Sequence, residues 1–437
     1  MSQVIKSQAK ILQKLGIKSL NEMQKEAINV IEENKDILLL SPTGTGKTLA
    51  FLLPILNELK PDINAVQAII VVPTRELSIQ IEQVIREMGS GYKANAVYGG
   101  QSFSKDRTAL KHPPALLVGT PGRIADHLRR ETFSTEFVKT LILDEFDKSL
   151  EIGFDADMMD ISERLKKVKK RILTSATQAV DIPNFVGFGK PVVIDYSIDK
   201  KANLNIQLIE AHTKDKIEDL TKLLEKLEDQ PGIVFCNFKN SIQKISDSLT
   251  DAGISHGCFY GGLEQKDRER VLIQFRNGTH KVILATDLAA RGLDIPELNF
   301  IVHFQLPHYE DEFIHRNGRT ARMHASGNAY VLHWKGAKLP SYIKLKEFVS
   351  LQNEKNEPSL NKWTTVFISG GRKDKISKGD IVGFFLKQGN LNIEQIGLIE
   401  LKTDCAFVAV DNEVVHGLIK DLNNTKLKNK KVRLNTI

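Results

Sequence analysis

Short apolar runs recur along the chain, separated by stretches with helical spacing. In the first half they read ILLL (37–40), AIIVV (68–72), ALLV (115–118), LIL (141–143), RILT (171–174) and VVI (192–194). Runs that are apolar on both faces and alternate with helical patterns predict a parallel sheet covered by helices. The polar stretch DKKANLN (199–205) reads as a linker, after which the pattern restarts with GIVFC (232–236), KVILA (281–285), FIVHF (300–304) and AYVLH (329–333). A second polar stretch, NEKNEPSLNK (353–362), precedes a tail that alternates TTVFI, DIVGFF, IGLIEL and AFVAV. The pattern predicts two tandem α/β domains, over residues 1–200 and 206–345, and a small α+β module over 363–437.

Composition narrows the class without naming it. At 437 residues the chain is too long for one ordinary core, and 26% charged with 41% hydrophobic residues is a normal globular balance. Cys236, Cys258 and Cys405 are widely spaced with no CxxC pair, so free buried thiols in a reducing cytosol are expected rather than a disulfide framework or a zinc site. No apolar run reaches ~18 residues and the start, MSQVIKSQAKILQKLG, lacks the apolar core of a signal peptide, so a cytoplasmic protein with no membrane partner is expected. The net charge of +7 is unevenly placed: residues 362–437 carry 13 Lys/Arg against 8 Asp/Glu. The basic tail permits a polyanionic partner.

Chemistry enters with SPTGTGKT (41–48), which follows the first apolar run and opens a helical one. Glycines at such a junction let backbone N–H groups close on phosphate at a helix N-terminus. Ser41, Pro42, Thr43, Gly44, Thr45 and Gly46 form the cradle, Lys47 is placed to reach the β- and γ-phosphates, and Thr48 offers a hydroxyl to Mg²⁺. Ser41 stands where the usual first glycine would be. About a hundred residues on, LILDEFDKSL (141–150) sets three carboxylates directly after a strand, and grouped acids need a cation. Asp144 is placed to hold the metal on ATP, and Glu145 to orient or deprotonate attacking water.

At this point the chain resembles the DEAD-box RNA helicases. DEFD looks like their second motif, with Phe146 where the family has alanine, and is expected to pack beside SAT as an enlarged alanine. PTREL (73–77), GG (99–100), TPGR (120–123), SAT (175–177), ATDLAARGLD (285–294) and HRNGRTAR (315–322) follow in the family's order and spacing. The first motif differs more: GIKSLNEMQ (16–24) keeps Gly16 and Gln24 but has Ile17, Leu20 and Asn21, and Ser7 stands where the family has an aromatic. The resemblance implies two RecA-like domains that bind ATP and RNA across a cleft. Gln24 would read the adenine edge, Gly292 and Asp294 would touch nucleotide, and Arg319 and Arg322 would reach the γ-phosphate. Asp147, Ser175 and Thr177 would couple hydrolysis to RNA. The family's RNA-gripping positions fall on Thr74, Arg75, Gly100, Thr120, Gly122 and Arg123 in the first domain, and on Asn237, Gln265, Arg268, Thr286 and Asp287 in the second.

The tail resembles the RRM-like RNA-binding domain of DbpA-type helicases, which implies an address on a hairpin of large-subunit ribosomal RNA. Phe367 and Phe407 are its candidate base-stacking aromatics. Arg372, Lys373, Lys375 and Lys378, with Lys428, Lys430, Lys431 and Arg433, offer the stronger contact surface. The sequence thus reads as a monomeric ATP-dependent RNA helicase acting in large-subunit assembly. A general RNA helicase without that address, an ATP-dependent RNA clamp and a DNA translocase are the other readings. Lys47, Glu145, Arg319 and Arg322 argue against a clamp that does not hydrolyse ATP, and PTREL, DEFD and the RRM-like tail argue against DNA.

Overall fold

The computed structural model describes residues 6–42, 44–151, 153–176, 182–197, 203–228, 230–287, 298–320, 326–343, 348–349 and 362–437. The chain forms two compact units divided near residue 201, and the C-terminal antiparallel sheet belongs to the second.

The first unit is built on seven parallel strands: β1 (Asp36–Leu40), β2 (Ala68–Val71), β3 (Ala94–Val97), β4 (Leu116–Gly119), β5 (Thr140–Leu143), β6 (Lys170–Ser175) and β7 (Val192–Asp195), in the order β3-β4-β2-β5-β6-β1-β7. Alternate residues of each strand feed opposite cores. Ile37, Leu39, Ile70, Val118 and Ile142 pack on one side, and Ile69, Val71, Leu117, Leu141 and Leu143 on the other. This is why the strands read as continuous apolar runs. Each such side chain, buried from water, contributes about 1.5–3 kcal/mol before entropy is counted.

The second unit holds another parallel sheet, of β8 (Asn203–Ala211), β9 (Gly232–Cys236), β10 (His256–Phe259), β11 (Val282–Thr286), β12 (Phe300–His303), β13 (Ser326–Trp334) and β14 (Phe348–Val349), in the order β10-β11-β9-β12-β13-β8-β14. The antiparallel sheet that follows contains β15 (Trp363–Ile368), β16 (Ile396–Leu401), β17 (Ala406–Asp411) and β20 (Leu434–Thr436), ordered β16-β17-β15-β20, while β18 (Lys426–Leu427) pairs with β19 (Lys430–Lys431). Val366, Ile368, Val408 and Val410 face the helices Lys378–Lys387 and Val415–Leu422 in a core of their own.

Candidate nucleotide and RNA sites

The phosphate loop connects β1 to the helix Lys47–Glu58. Gly44 and Gly46 take φ of 83° and 87°, which L side chains adopt only under strain. Ser41 N donates to Ser175 O at 3.0 Å, tying the loop to the end of β6. Ser41 Oγ donates to Thr45 Oγ1 at 2.8 Å, and Lys47 Nζ donates to the carbonyls of Ser41 and Pro42, the latter at 3.1 Å. Burial holds Lys47 below the usual ammonium range; Asp144 and Glu145 oppose that shift, and Lys148 adds to it.

The first motif is held together by the retained Gln24 and by Asn21, a departure from the family pattern. Asn21 caps the helix Glu22–Glu33 by accepting from Gln24 N at 2.8 Å, and Gln24 Oε1 accepts from Asn21 N at 3.0 Å. Both residues also reach the phosphate loop: Asn21 Nδ2 donates to Thr45 O at 3.0 Å and Gln24 Nε2 to Gly46 O at 3.3 Å. A Cβ on Gly46 would stand 2.4 Å from Gln24 Nε2, and the φ of 87° is what requires glycine there.

The acidic turn sits where β5 ends. Asp144 N donates to Val71 O at 2.9 Å, and Thr174 Oγ1 donates to Asp144 Oδ1. Glu145 adopts φ 49°, and its N–H is held by Thr174 Oγ1 at 3.1 Å and Asp144 Oδ1 at 3.2 Å. A left-handed conformation in a residue other than glycine marks stored strain, which the Thr174 hydroxyl helps to hold. Burial first, and the Glu145 charge second, push Asp144 up to about 6. Phe146 is buried in the same core as Leu143 and Leu173, with Phe185 and Phe188 packed against that core. The large side chain is absorbed by that core.

The candidate RNA residues of the first unit lie at the carboxyl edge of its sheet. Thr74 caps the helix Arg75–Met88, accepting from Leu77 N at 3.3 Å. A Cβ on Gly100 would lie 2.6 Å from Arg75 Nη1, so PTREL and GG meet. Thr120 begins the helix Pro121–Arg129, and Gly122 approaches Asp157. Arg123 donates to Gln101 O at 2.5 Å and stands 3.4 Å from Asp106, a buried carboxylate the sequence reading passed over.

In the second unit Arg316, which the sequence reading also missed, takes the central place. It donates to both oxygens of Asp287, at 2.6 and 2.5 Å, to Asn237 Oδ1 at 2.8 Å and to Gln305 O at 2.5 Å. Asn237 Nδ2 is meanwhile spent on Leu306 O at 2.9 Å. The polar side-chain atoms of Asn237 and Asp287 thus brace Arg316, because a guanidinium 2% exposed needs its donors satisfied. Thr286 closes β11; Gln265 and Arg268 lie on the first turn of the helix Gln265–Arg276, with Arg268 4.5 Å from the Phe259 ring centre. Arg319 is buried. Thr43, Thr177, Gly292, Asp294 and Arg322 lie outside the described residues.

The antiparallel sheet places the two candidate aromatics on one face. Thr365, Phe367, Phe407 and Glu400 share its second face, since Phe367 pairs with Phe407 and Glu400 with Phe407. That face is turned to residues 276–279. Asn277 Nδ2 donates to Thr365 Oγ1 at 3.2 Å, the Thr279 and Thr365 hydroxyls lie 2.7 Å apart, and Arg276 Nε stands 2.6 Å from Glu400 Oε1. Phe407 is buried and Phe367 half-buried. Arg372, Lys373, Lys375 and Lys378 are exposed, whereas Lys428 and Lys430 are each 2.6 Å from a carboxylate, of Asp380 and Asp374.

A phosphate loop, a shielded acid pair and a second parallel sheet beside an arginine-centred network define a nucleotide-driven motor ATPase. The comparisons agree and go further. Residues 21–185 match the DEAD/DEAH box helicase family, 215–324 the helicase conserved C-terminal domain, and 365–436 the DbpA RNA binding domain. The chain is 33% identical to the ATP-dependent RNA helicase DbpA of Escherichia coli (97% of this chain, 95% of that one) and 30% identical to that of Bacillus subtilis (97% and 96%). Among solved structures it resembles S. cerevisiae Dbp5 bound to RNA and ADP BeF3 (TM-score 0.69, 25% identity, 79% of this chain and 93% of that one). It also resembles Mss116p bound to ssRNA and AMP-PNP (TM-score 0.67, 27% identity, 75% and 72%). The chain belongs to the DEAD-box ATP-dependent RNA helicases of the DbpA type, and is an ATP-binding, RNA-binding enzyme whose ATPase depends on RNA. No described helix is long and apolar enough to cross a membrane.

Proposed function

We propose that this helicase opens short duplexes in large-subunit ribosomal RNA during ribosome assembly, acting as a monomer in the cytoplasm, with residues 1–200 and 206–345 as its two catalytic domains and 363–437 as its address. The observation that carries the address is the match of residues 365–436 to the DbpA RNA binding domain, with Arg372, Lys373 and Lys375 exposed on one loop of it.

Roles at the nucleotide site follow the family's motifs and the chemistry of the residues that match them. Lys47 binds phosphate, Gln24 faces the base, and Glu145 accepts a hydrogen bond from the attacking water. Arg319 and Arg322 are the proposed partners of charge developing on the γ-phosphate, with Thr43, Gly292 and Asp294 as further nucleotide contacts. The donor set fits a divalent cation. Burial first, and the neighbouring Glu145 carboxylate second, raise the proton affinity of Asp144, the condition a metal relieves. Asp144 and Thr48 would hold Mg²⁺, which neutralises phosphate charge in this class of reaction. Asp147, Ser175 and Thr177 are assigned to coupling; Ser175 O already receives the Ser41 N–H of the phosphate loop.

The test is the RNA concentration for half-maximal ATPase stimulation, with large-subunit ribosomal fragments and with unrelated RNA of equal length. Ribosomal fragments should require at least about tenfold less RNA. Reversing Lys373 and Lys375 to Glu should erase the difference and lower the salt slope by roughly one unit per lost phosphate contact. Equal concentrations for both RNAs would leave a general RNA helicase without an address.

A further inference from the structure

Lys148 is buried completely, its side chain 0% exposed, in the short helix Phe146–Glu151 directly after the acidic turn. Lysine is almost never buried this fully unless its charge is paired, because desolvating an ammonium costs several kcal/mol. Its Nζ makes no hydrogen bond to any described residue, and it stands 3.3 Å from Glu145 Oε1. Lys148 N also donates to Glu145 O at 3.1 Å, so backbone and side chain both bear on Glu145.

Glu145 has a left-handed backbone at φ 49°, with its N–H held by Asp144 and Thr174. A glutamate has three side-chain torsions, and an ammonium 3.3 Å from its carboxylate oxygen restricts them.

We propose that Lys148 is a positioning residue for Glu145: its buried ammonium fixes the carboxylate so that the attacking water meets an acceptor already in place. The inference rests on the reading of Glu145 as the residue that orients water. The loss of Lys148, which acts through Glu145, should lower turnover without changing what binds. Such an effect resembles other preorganisation losses, where a slightly misplaced group costs a large factor in rate.

The test uses the full-length enzyme and the variants Lys148→Met, Lys148→Gln, Lys148→Arg and Glu145→Gln, alone and combined. In RNA-stimulated ATP hydrolysis, Lys148→Met should lower kcat by about 10- to 100-fold. The dissociation constant of a fluorescent ATP analogue and the RNA concentration for half-maximal stimulation should stay within about twofold. Lys148→Arg, which keeps the charge, should recover most of the loss. In the Glu145→Gln background, Lys148→Met should cost nothing further, as expected when one residue acts only through the other. A normally folded Lys148→Met enzyme with wild-type kcat, a parallel loss of nucleotide affinity, or an additive loss in the double variant would overturn the proposal. If Lys148→Met shows no cooperative melting, the same criteria apply to Lys148→Gln. Near-normal turnover in Glu145→Gln would instead remove the underlying assignment of Glu145, which separates the two failures.

Discussion

Arg276 Nε and Glu400 Oε1 lie 2.6 Å apart, an ion pair that joins the end of the helix Gln265–Arg276 to the edge strand β16 of the antiparallel sheet. Both side chains are mostly shielded, at 22% and 17% exposure, so solvent screens the pair less than a surface pair. With the Thr365 bonds to Asn277 and Thr279 beside it, the pair turns the sheet's second face toward the parallel-sheet layer.

Glu400→Arg should therefore loosen the antiparallel sheet from residues 276–279, seen as faster amide exchange there. It should also change the emission of Trp363, which lies beside Gly278. Arg276→Glu combined with Glu400→Arg should restore both, with a coupling of about 1–2 kcal/mol. Unaltered exchange in the single variant would count against the latch.

Lys47→Ala and Glu145→Gln should fail differently. The first removes a phosphate ligand and should raise the dissociation constant for nucleotide about tenfold or more. The second should leave nucleotide and RNA binding intact and lower kcat by about 10²-fold or more. Equilibrium titration beside steady-state kinetics distinguishes them.

Thr174→Val keeps the shape of a fully buried side chain and deletes the hydroxyl that meets both Asp144 Oδ1 and Glu145 N. Leaving these groups short of a partner should cost about 1–3 kcal/mol in unfolding free energy. Turnover should fall about tenfold with RNA affinity unchanged. Wild-type kcat would show that the acidic turn does not depend on this bond.

His303 makes stability pH-dependent. Burial first, and the Arg316 charge second, lower it to about 3, against about 6.5 in the unfolded chain. The folded state resists a proton that the unfolded state takes. The contribution is whole above about pH 6.5 and is lost as pH falls toward about 3, reaching up to ~2 kcal/mol at pH 5. His303→Leu should flatten the change in urea midpoint between pH 7 and 5. It should also lower the baseline, because Asn317 Oδ1 loses its partner at 3.0 Å. A slope equal to wild type would remove His303 as the cause.

The sequence by itself determined the parallel-sheet architecture and the catalytic loops, because both are local patterns. Continuous apolar runs such as AIIVV require burial on both faces, and a GTGKT segment after such a run has few uses other than holding phosphate. DEFD gave its meaning for the same reason: charge density on a short segment needs no partner in view. What only the tertiary structure decided are relationships between residues far apart in the chain. Asn21 read as an erosion, yet its amide spans to Thr45 O. Thr174 looked like the end of a strand, yet it holds a turn thirty residues earlier. Arg316 was one arginine among several until Asn237, Asp287 and Gln305 converged on it. Phe367 and Phe407 were candidate aromatics in the sequence, and only the fold turned the face they share toward residues 276–279, through Thr365 and Glu400. Periodicity tells which side of an element is apolar, but not what a polar atom will find across a fold, since that depends on where distant strands end.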